Sequence, residues 1–226
     1  MRLLIEGLDA VEIGGGPVGV LEVHDKRLFA RVCRSLISEQ GEAALEPYSL
    51  WDAEGGKLSA RNAILAAVDP FDLPWGDRAL LGDLQDVVEE MYAADDQARR
   101  RIDESARRLR EDVAELGLRL QSEYEFAVEW DLGKYLKSFD FSVEEDPVES
   151  LLDNLIKFMK FASDIRCKQV ILFVNLKSFL EKSELEEFYR EAFLCDLNIL
   201  LLESIPDPSC YEQERKTVID LDFLSE

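Results

Sequence analysis

Four carboxylates crowd into nine positions at Glu123, Glu125, Glu129 and Asp131. Carboxylate oxygens on a flexible segment are what calcium takes, about six to eight donors per ion. Bound calcium would relieve the repulsion among these like charges and order the segment. The spacing is not that of a helix-loop-helix calcium loop. Acids are also common elsewhere, at Glu42, Glu46, Glu144, Glu145 and Asp146, so a solvated acidic face accounts for the same pattern. A second set, Glu22, Asn175 and Glu203, ends or follows apolar runs, where α/β proteins often place functional groups. No matched nucleophile and base accompanies them, and strand-end solvation or a hydrogen bond to the next loop explains them without chemistry. A metal-dependent phosphohydrolase using Glu22, Glu123 and Glu129 is the enzymatic alternative, ranked last.

Nucleotide chemistry fares worse. The stretch Glu22-Val23-His24-Asp25-Lys26 occupies the strand-to-helix turn of a phosphate-binding domain, yet it lacks GxxxxGK[ST] and so offers no glycine-backed nest of amides. Gly14-Gly15-Gly16 lies before the strand rather than after it, without the GxGxxG spacing. His24 is the only histidine, and Cys33, Cys167, Cys195 and Cys210 form no CxxC pair, which leaves a zinc site or a histidine base short of ligands. Buried thiols are expected, with Cys33 and Cys195 on helix faces.

The elements that must position these groups follow from hydrophobic periodicity. Strands are expected at Leu3 to Glu6, Val18 to Val23 and Tyr48 to Trp51, with a helix from Lys26 to Leu36. A short helix is predicted from Ser59 or Ala60 toward Val68. From Leu81 to Leu120 apolar residues recur every three or four positions, marking one long helix or two segments divided near Asp95. Arg99, Arg100, Arg101, Arg107, Arg108 and Arg110 flank that stripe among nearly equal numbers of acids. Pro147 suits the first turn of a following helix. Val170-Ile171-Leu172-Phe173-Val174 and Ile199-Leu200-Leu201-Leu202 read as central strands, apolar on both faces. Ser183 and Glu186 form a capping-box pattern for the helix between them, and Val218 to Leu221 is a final strand. The economical layout is an α/β head, residues 1–85 and 146–226, with an inserted helical leg at 86–145.

Composition sets the electrostatics. The 226 residues carry 26 basic and 48 acidic side chains, a net charge of -22. Such a charge repels nucleic acid and anionic lipid at long range and argues against DNA binding on composition alone. With no run near membrane length and no apolar signal core, the chain reads as cytosolic, without a membrane partner.

The segments Val170-Ile171-Leu172-Phe173-Val174-Asn175, Phe179-Leu180-Glu181-Lys182-Ser183-Glu184-Leu185 and Asn198-Ile199-Leu200-Leu201-Leu202-Glu203 together resemble the small, DNA-end-binding spacer-acquisition proteins of type II-A CRISPR systems, in their short form. Weaker support comes from Val20-Leu21-Glu22, Tyr48-Ser49-Leu50-Trp51-Asp52 and Asp69-Pro70-Phe71-Asp72-Leu73.

The resemblance implies a head with a mostly parallel sheet, like a degenerate phosphate-loop NTPase, and a helical leg. It also implies a homotetrameric ring, not an enzyme, that binds double-stranded DNA at linear ends, needs calcium, and serves spacer acquisition beside the CRISPR integrase proteins and the type II targeting nuclease. On that basis Glu123, Glu125, Glu129 and Asp131 become the calcium ligands. Arg99, Arg100, Arg101, Arg107, Arg108, Lys157, Lys160 and Lys168 become the DNA-binding candidates. Net charge then matters less than the field inside the ring. An oligomeric scaffold without DNA binding is the other class left open.

Overall fold

A computed structural model describes residues 1–126, 129–143 and 149–220 of the chain. Chain contacts divide it into two compact units, Met1–Trp75 with Glu145–Glu226, and Gly76–Glu144. The inserted unit thus begins at Gly76, against the expected 86.

The first unit is α/β. Strands β1 (Arg2–Ile5), β2 (Val11–Glu12), β4 (Tyr48–Trp51) and β5 (Lys57–Leu58) form an antiparallel sheet in the order β2-β1-β4-β5. Five others, β3 (Val18–Val23), β6 (Ile64–Ala67), β7 (Val170–Val174), β8 (Asn198–Glu203) and β9 (Glu214–Ile219), form a wholly parallel sheet in the order β6-β7-β8-β3-β9. The apolar runs of β3, β7 and β8 lie at its centre, where both faces are covered and alternation disappears. Gly14, Gly15 and Gly16 turn the chain into β3 at φ 80°, 72° and 101°, a region L side chains rarely adopt.

Helix α1 (Lys26–Ile37) buries Leu28, Val32 and Leu36 in one core with Leu3, Ile5, Leu50, Leu21 and Leu200, joining both sheets. Helices α5 (Leu151–Asp164) and α6 (Lys182–Leu194) complete the unit. Phe158, Phe161 and Met159 are the buried face of α5, with Trp75 edge-on to Phe158 at 5.1 Å. Each buried side chain of this size contributes about 1.5–3 kcal/mol.

Several boundaries differ from expectation. The predicted helix at 59–68 is strand β6, because Ile64 to Ala67 finds a partner in β7 and four residues are too few to sustain an isolated helix. Helix α5 starts at Leu151, with the Ser150 hydroxyl accepting from Asp153 N–H at 3.1 Å, and the start expected at Pro147 lies outside the described residues. The capping box of α6 is Glu181 with Glu184, not Ser183 with Glu186, and Glu181 N–H donates to Glu184 Oε2 at 2.8 Å. The last strand begins at Glu214, since charged residues are tolerated on a sheet edge. Cys167 is buried, but Cys33 and Cys195 are only half-buried and Cys210 is exposed; none of the four is in a disulfide.

The second unit holds α2 (Arg78–Ala94), α3 (Asp96–Gly117) and α4 (Leu132–Ser138). The stripe is divided at Asp95, which is extended at φ -105°, ψ 95° and whose carboxylate caps α3 by accepting from Gln97 and Ala98 N–H at 2.8 and 2.9 Å. Asp77 starts α2 in the same way.

Candidate functional site

On α3, at about 100° per residue, Ile102, Ala106, Leu109, Val113 and Leu116 share one face, Arg99 and Arg110 border it, and Arg100, Arg101, Arg107 and Arg108 spread over the other. Only Ala106 of that apolar face is buried within the unit. Leu109 and Leu116 stay 56% and 55% exposed. The arginine face is laced with acids: Arg99 pairs with Asp96, Arg108 with Glu104 at 2.6 Å and Arg107 with Glu111 at 4.0 Å. Arg110 lies 4.8 Å over the Phe126 ring and reaches Glu129 at 3.1 Å. Arg100 and Arg101 are exposed and make no ion pair among the described residues. Exposed pairs of this kind hold little energy, so the arginines can trade a carboxylate for a phosphate at small cost.

The lysine candidates belong to the first unit. Lys157, on α5, is half-buried and 3.5 Å from Glu149. Lys160, on the same helix, and Lys168, just before β7, are exposed.

The four expected calcium ligands are not gathered to one point. Glu123 and Glu125 are exposed. Glu129, 97% exposed at its side chain, goes to Arg110, and Asp131 caps α4 by accepting from Lys134 N–H at 2.7 Å. Among the described residues no group of three or more His, Cys, Asp or Glu side chains is arranged to hold a metal ion. The donors suit calcium in chemistry, being all oxygen, but two of the four are committed elsewhere.

Chemistry that sequence inspection saw only in part, through Glu22 and Glu203, gathers around the carboxyl ends of β3 and β8. Glu22 and Glu203 are register partners on β3 and β8, 2% and 1% exposed. Glu22 Oε1 lies 2.7 Å from His24 Nε2, and its Oε2 accepts from Asp207 N–H at 3.3 Å. Glu203 Oε1 accepts from Lys177 N–H at 3.1 Å. Burial, with the charge of Glu22 beside it, raises the Glu203 carboxyl to about 7 against the pull of Lys177.

Lys177 Nζ bridges Asp207 at 3.0 Å and Glu214 at 2.8 Å, Lys216 reaches Glu214 at 3.3 Å, and Tyr189 O–H donates to Glu214 at 2.7 Å. Burial opposes the Lys177 charge, but these two carboxylates outweigh it and raise its pKa. Burial likewise opposes ionisation of Asp207, yet the Ser209 N–H and Lys177 bring it down to about 2. The alternation of Glu214 and Lys216 on one strand face was the available signal.

Asn175, at φ 53°, accepts from Ser204 N–H and Oγ at 2.9 and 2.8 Å, the hydrogen bond to the next loop that its position suggested. At the start of α1 the Asp25 carboxylate takes the Leu28 N–H at 2.7 Å, so the chain's own anion occupies the seat a phosphate would need.

The family model described as CRISPR-associated protein (Cas_Csn2) matches residues 46–223. The chain belongs to the Cas_Csn2 family. That membership gives it a role in CRISPR adaptation, and the segments 170–175, 179–185 and 198–203 all fall inside the match. The crystal structure of Stu0660 of Streptococcus thermophilus is similar with a TM-score of 0.52 at 12% identity, over 96% of this chain and 74% of that one. This likeness supports the mixed α/β fold. No curated protein matches the chain. Among the described residues no helix is long and apolar enough to cross a membrane.

Proposed function

We propose that this Cas_Csn2 protein is a non-enzymatic, cytoplasmic accessory of spacer acquisition. It assembles as a homotetrameric ring and binds double-stranded DNA at linear ends, without sequence preference and with calcium. The integrase proteins and the type II targeting nuclease are its expected partners in the pathway. The observation that carries this is the two-faced helix α3, with arginines opposite a stripe whose Leu109, Val113 and Leu116 are exposed. An apolar stripe of this kind calls for a covering surface, and a further copy of the chain supplies one while the arginines remain free for phosphates. Backbone contact by arginine carries no sequence information and weakens with salt as counterions are released. Calcium, in this proposal, draws on Glu123, Glu125, Glu129 and Asp131, whose mutual repulsion it would relieve.

The test uses linear and covalently closed circular duplexes of identical sequence, each with calcium and with chelator, and the mass in solution of the same samples. Tetramers that retain linear DNA only with calcium and ignore the closed circle are expected. A scaffold without DNA binding is the second interpretation, favoured by the ion pairs that already neutralise Arg99, Arg107 and Arg108. A stable oligomer that binds neither duplex in either buffer would establish the scaffold instead.

A further inference from the structure

The chain between β8 and β9, residues 204–213, leaves the carboxyl end of the parallel sheet after Glu203, where α/β folds open a crevice, and returns to the amino end, where Glu214 pairs with Val18. Three sets of contacts hold it along this path. Ser204 donates twice to Asn175. Asp207 is gripped through its N–H by Glu22, through its carboxylate by Lys177, and through its carbonyl by Lys216. Lys216 also donates to the Ser209 carbonyl at 3.0 Å, and Gln213 O accepts from Val18 N–H at 2.9 Å. We propose that this segment is a proton-controlled strap, held by Lys177 and Glu22 while the Glu203 carboxyl keeps its proton and loosened when that carboxyl ionises.

The geometry explains the coupling. Glu203 lies under the turn that carries Lys177 and accepts that residue's backbone N–H, while the Lys177 ammonium grips the strap. Charged and titratable groups meet it from every neighbouring element: Glu22 with His24 from β3, Lys177 from the turn after β7, Tyr189 from α6, and beyond Lys177 the strap's Asp207 and the Glu214 and Lys216 of β9. Counting His24 neutral, the cluster holds three carboxylates, Glu22, Asp207 and Glu214, against two ammonium groups, Lys177 and Lys216. Ionising Glu203 adds a fourth negative charge beside the Glu22 carboxylate. Two relaxations relieve it: the Lys177 ammonium leaves Asp207, or water enters under the strap. Either loosens residues 204–213. Burial places this titration near neutrality, at about 7.

The test is amide hydrogen exchange of the full chain, read on peptides covering 204–213 at pH 6 and pH 8.5 and corrected for the intrinsic rate. An opening coupled to one unit of the Glu203 pKa lowers protection about tenfold between the two. In Glu203→Gln, which keeps an acceptor for the Lys177 N–H without the charge, protection stays high at both. Asp207→Asn weakens the grip of Lys177 and gives fast exchange at both. Protection in the wild type that is equal at pH 6 and 8.5, or a pH response surviving in either variant, would overturn the proposal.

Discussion

Replacing Glu203 by glutamine should make the head more stable at pH 8 than the wild type, and the gain should vanish in acid. The wild-type carboxyl is 1% exposed and titrates at about 7 in the folded chain, against an ordinary 4.5. Between those values the folded state holds a proton that the unfolded state has released, so wild-type stability falls as pH rises from 4.5 through 7 and is flat above. The difference of 2.5 units corresponds to about 3 kcal/mol. Glutamine has no charge to bury at any pH and still accepts the Lys177 N–H. The stability of the variant relative to wild type should therefore climb by about 3 kcal/mol between pH 4.5 and 8. Urea unfolding followed by tryptophan emission measures this, in a Trp130→Phe background so that Trp51 and Trp75 report the head alone. A difference between variant and wild type that is constant across this range, or a variant losing ground as pH rises, would refute the electrostatic account of Glu203.

Asp207→Asn has the opposite pH signature. The wild-type carboxyl is depressed from 3.8 to about 2, so it contributes about 2 kcal/mol above pH 3.8 and loses it as pH falls toward 2; urea midpoints of the two proteins should converge in acid. Arg100→Gln with Arg101→Gln removes exposed charges without ion pairs among the described residues, so unfolding is unchanged, while duplex affinity drops and the slope of log affinity against log salt shrinks by about one per lost phosphate contact. Leu109→Glu with Leu116→Glu should leave helicity intact and reduce the mass measured by light scattering toward that of one chain, whereas an unchanged oligomer would place the interface elsewhere.

How much of this was legible in sequence follows the range of the forces involved. The centres of β3, β7 and β8 and the face of α1 were plain, because apolar runs and 3.6-residue periods are local properties. The division of the helical stripe at Asp95 was readable too, as one aspartate that both ends α2 and caps α3. β6 was misjudged because alanine favours helix in isolation, and only the register with β7 makes Ile64 to Ala67 a strand. In the calcium segment spacing alone does not say which acids could meet at an ion: Glu129 pairs with an arginine from α3, and Asp131 caps α4. Of the cluster around Glu22 and Glu203 only those strand-end residues were visible, for the complementary reason. Lys177, Asp207, Glu214 and Glu22 are far apart along the chain and meet only because the parallel order β7-β8-β3-β9 brings these strands and their connections together, with long lysine side chains spanning between them.

The same topology explains why this parallel α/β sheet offers no seat for a phosphate at its carboxyl end. In a phosphate-binding head the loop after the first parallel strand must present amides and positive charge. Here the end of β3 carries Glu22 and the turn after it Asp25, with Glu203 on the adjoining strand, and the cluster's two lysines are already bridged to Asp207, Glu214 and Glu22. Converting this end to phosphate binding would require reversing several buried charges at once, each left unpaired in the meantime at the cost of an uncompensated ion. The unit at Gly76–Glu144 is constrained differently. Arg100, Arg101, Arg107 and Arg108 are exposed and weakly held, so exchanging a carboxylate for an external phosphate there needs only side-chain motion. A polyanion therefore has a low-cost contact on α3 and a prohibitive one at the sheet, despite the net charge of -22. This contrast is why the arginine substitutions should change DNA binding and leave stability alone, while the Glu203 and Asp207 substitutions should do the reverse.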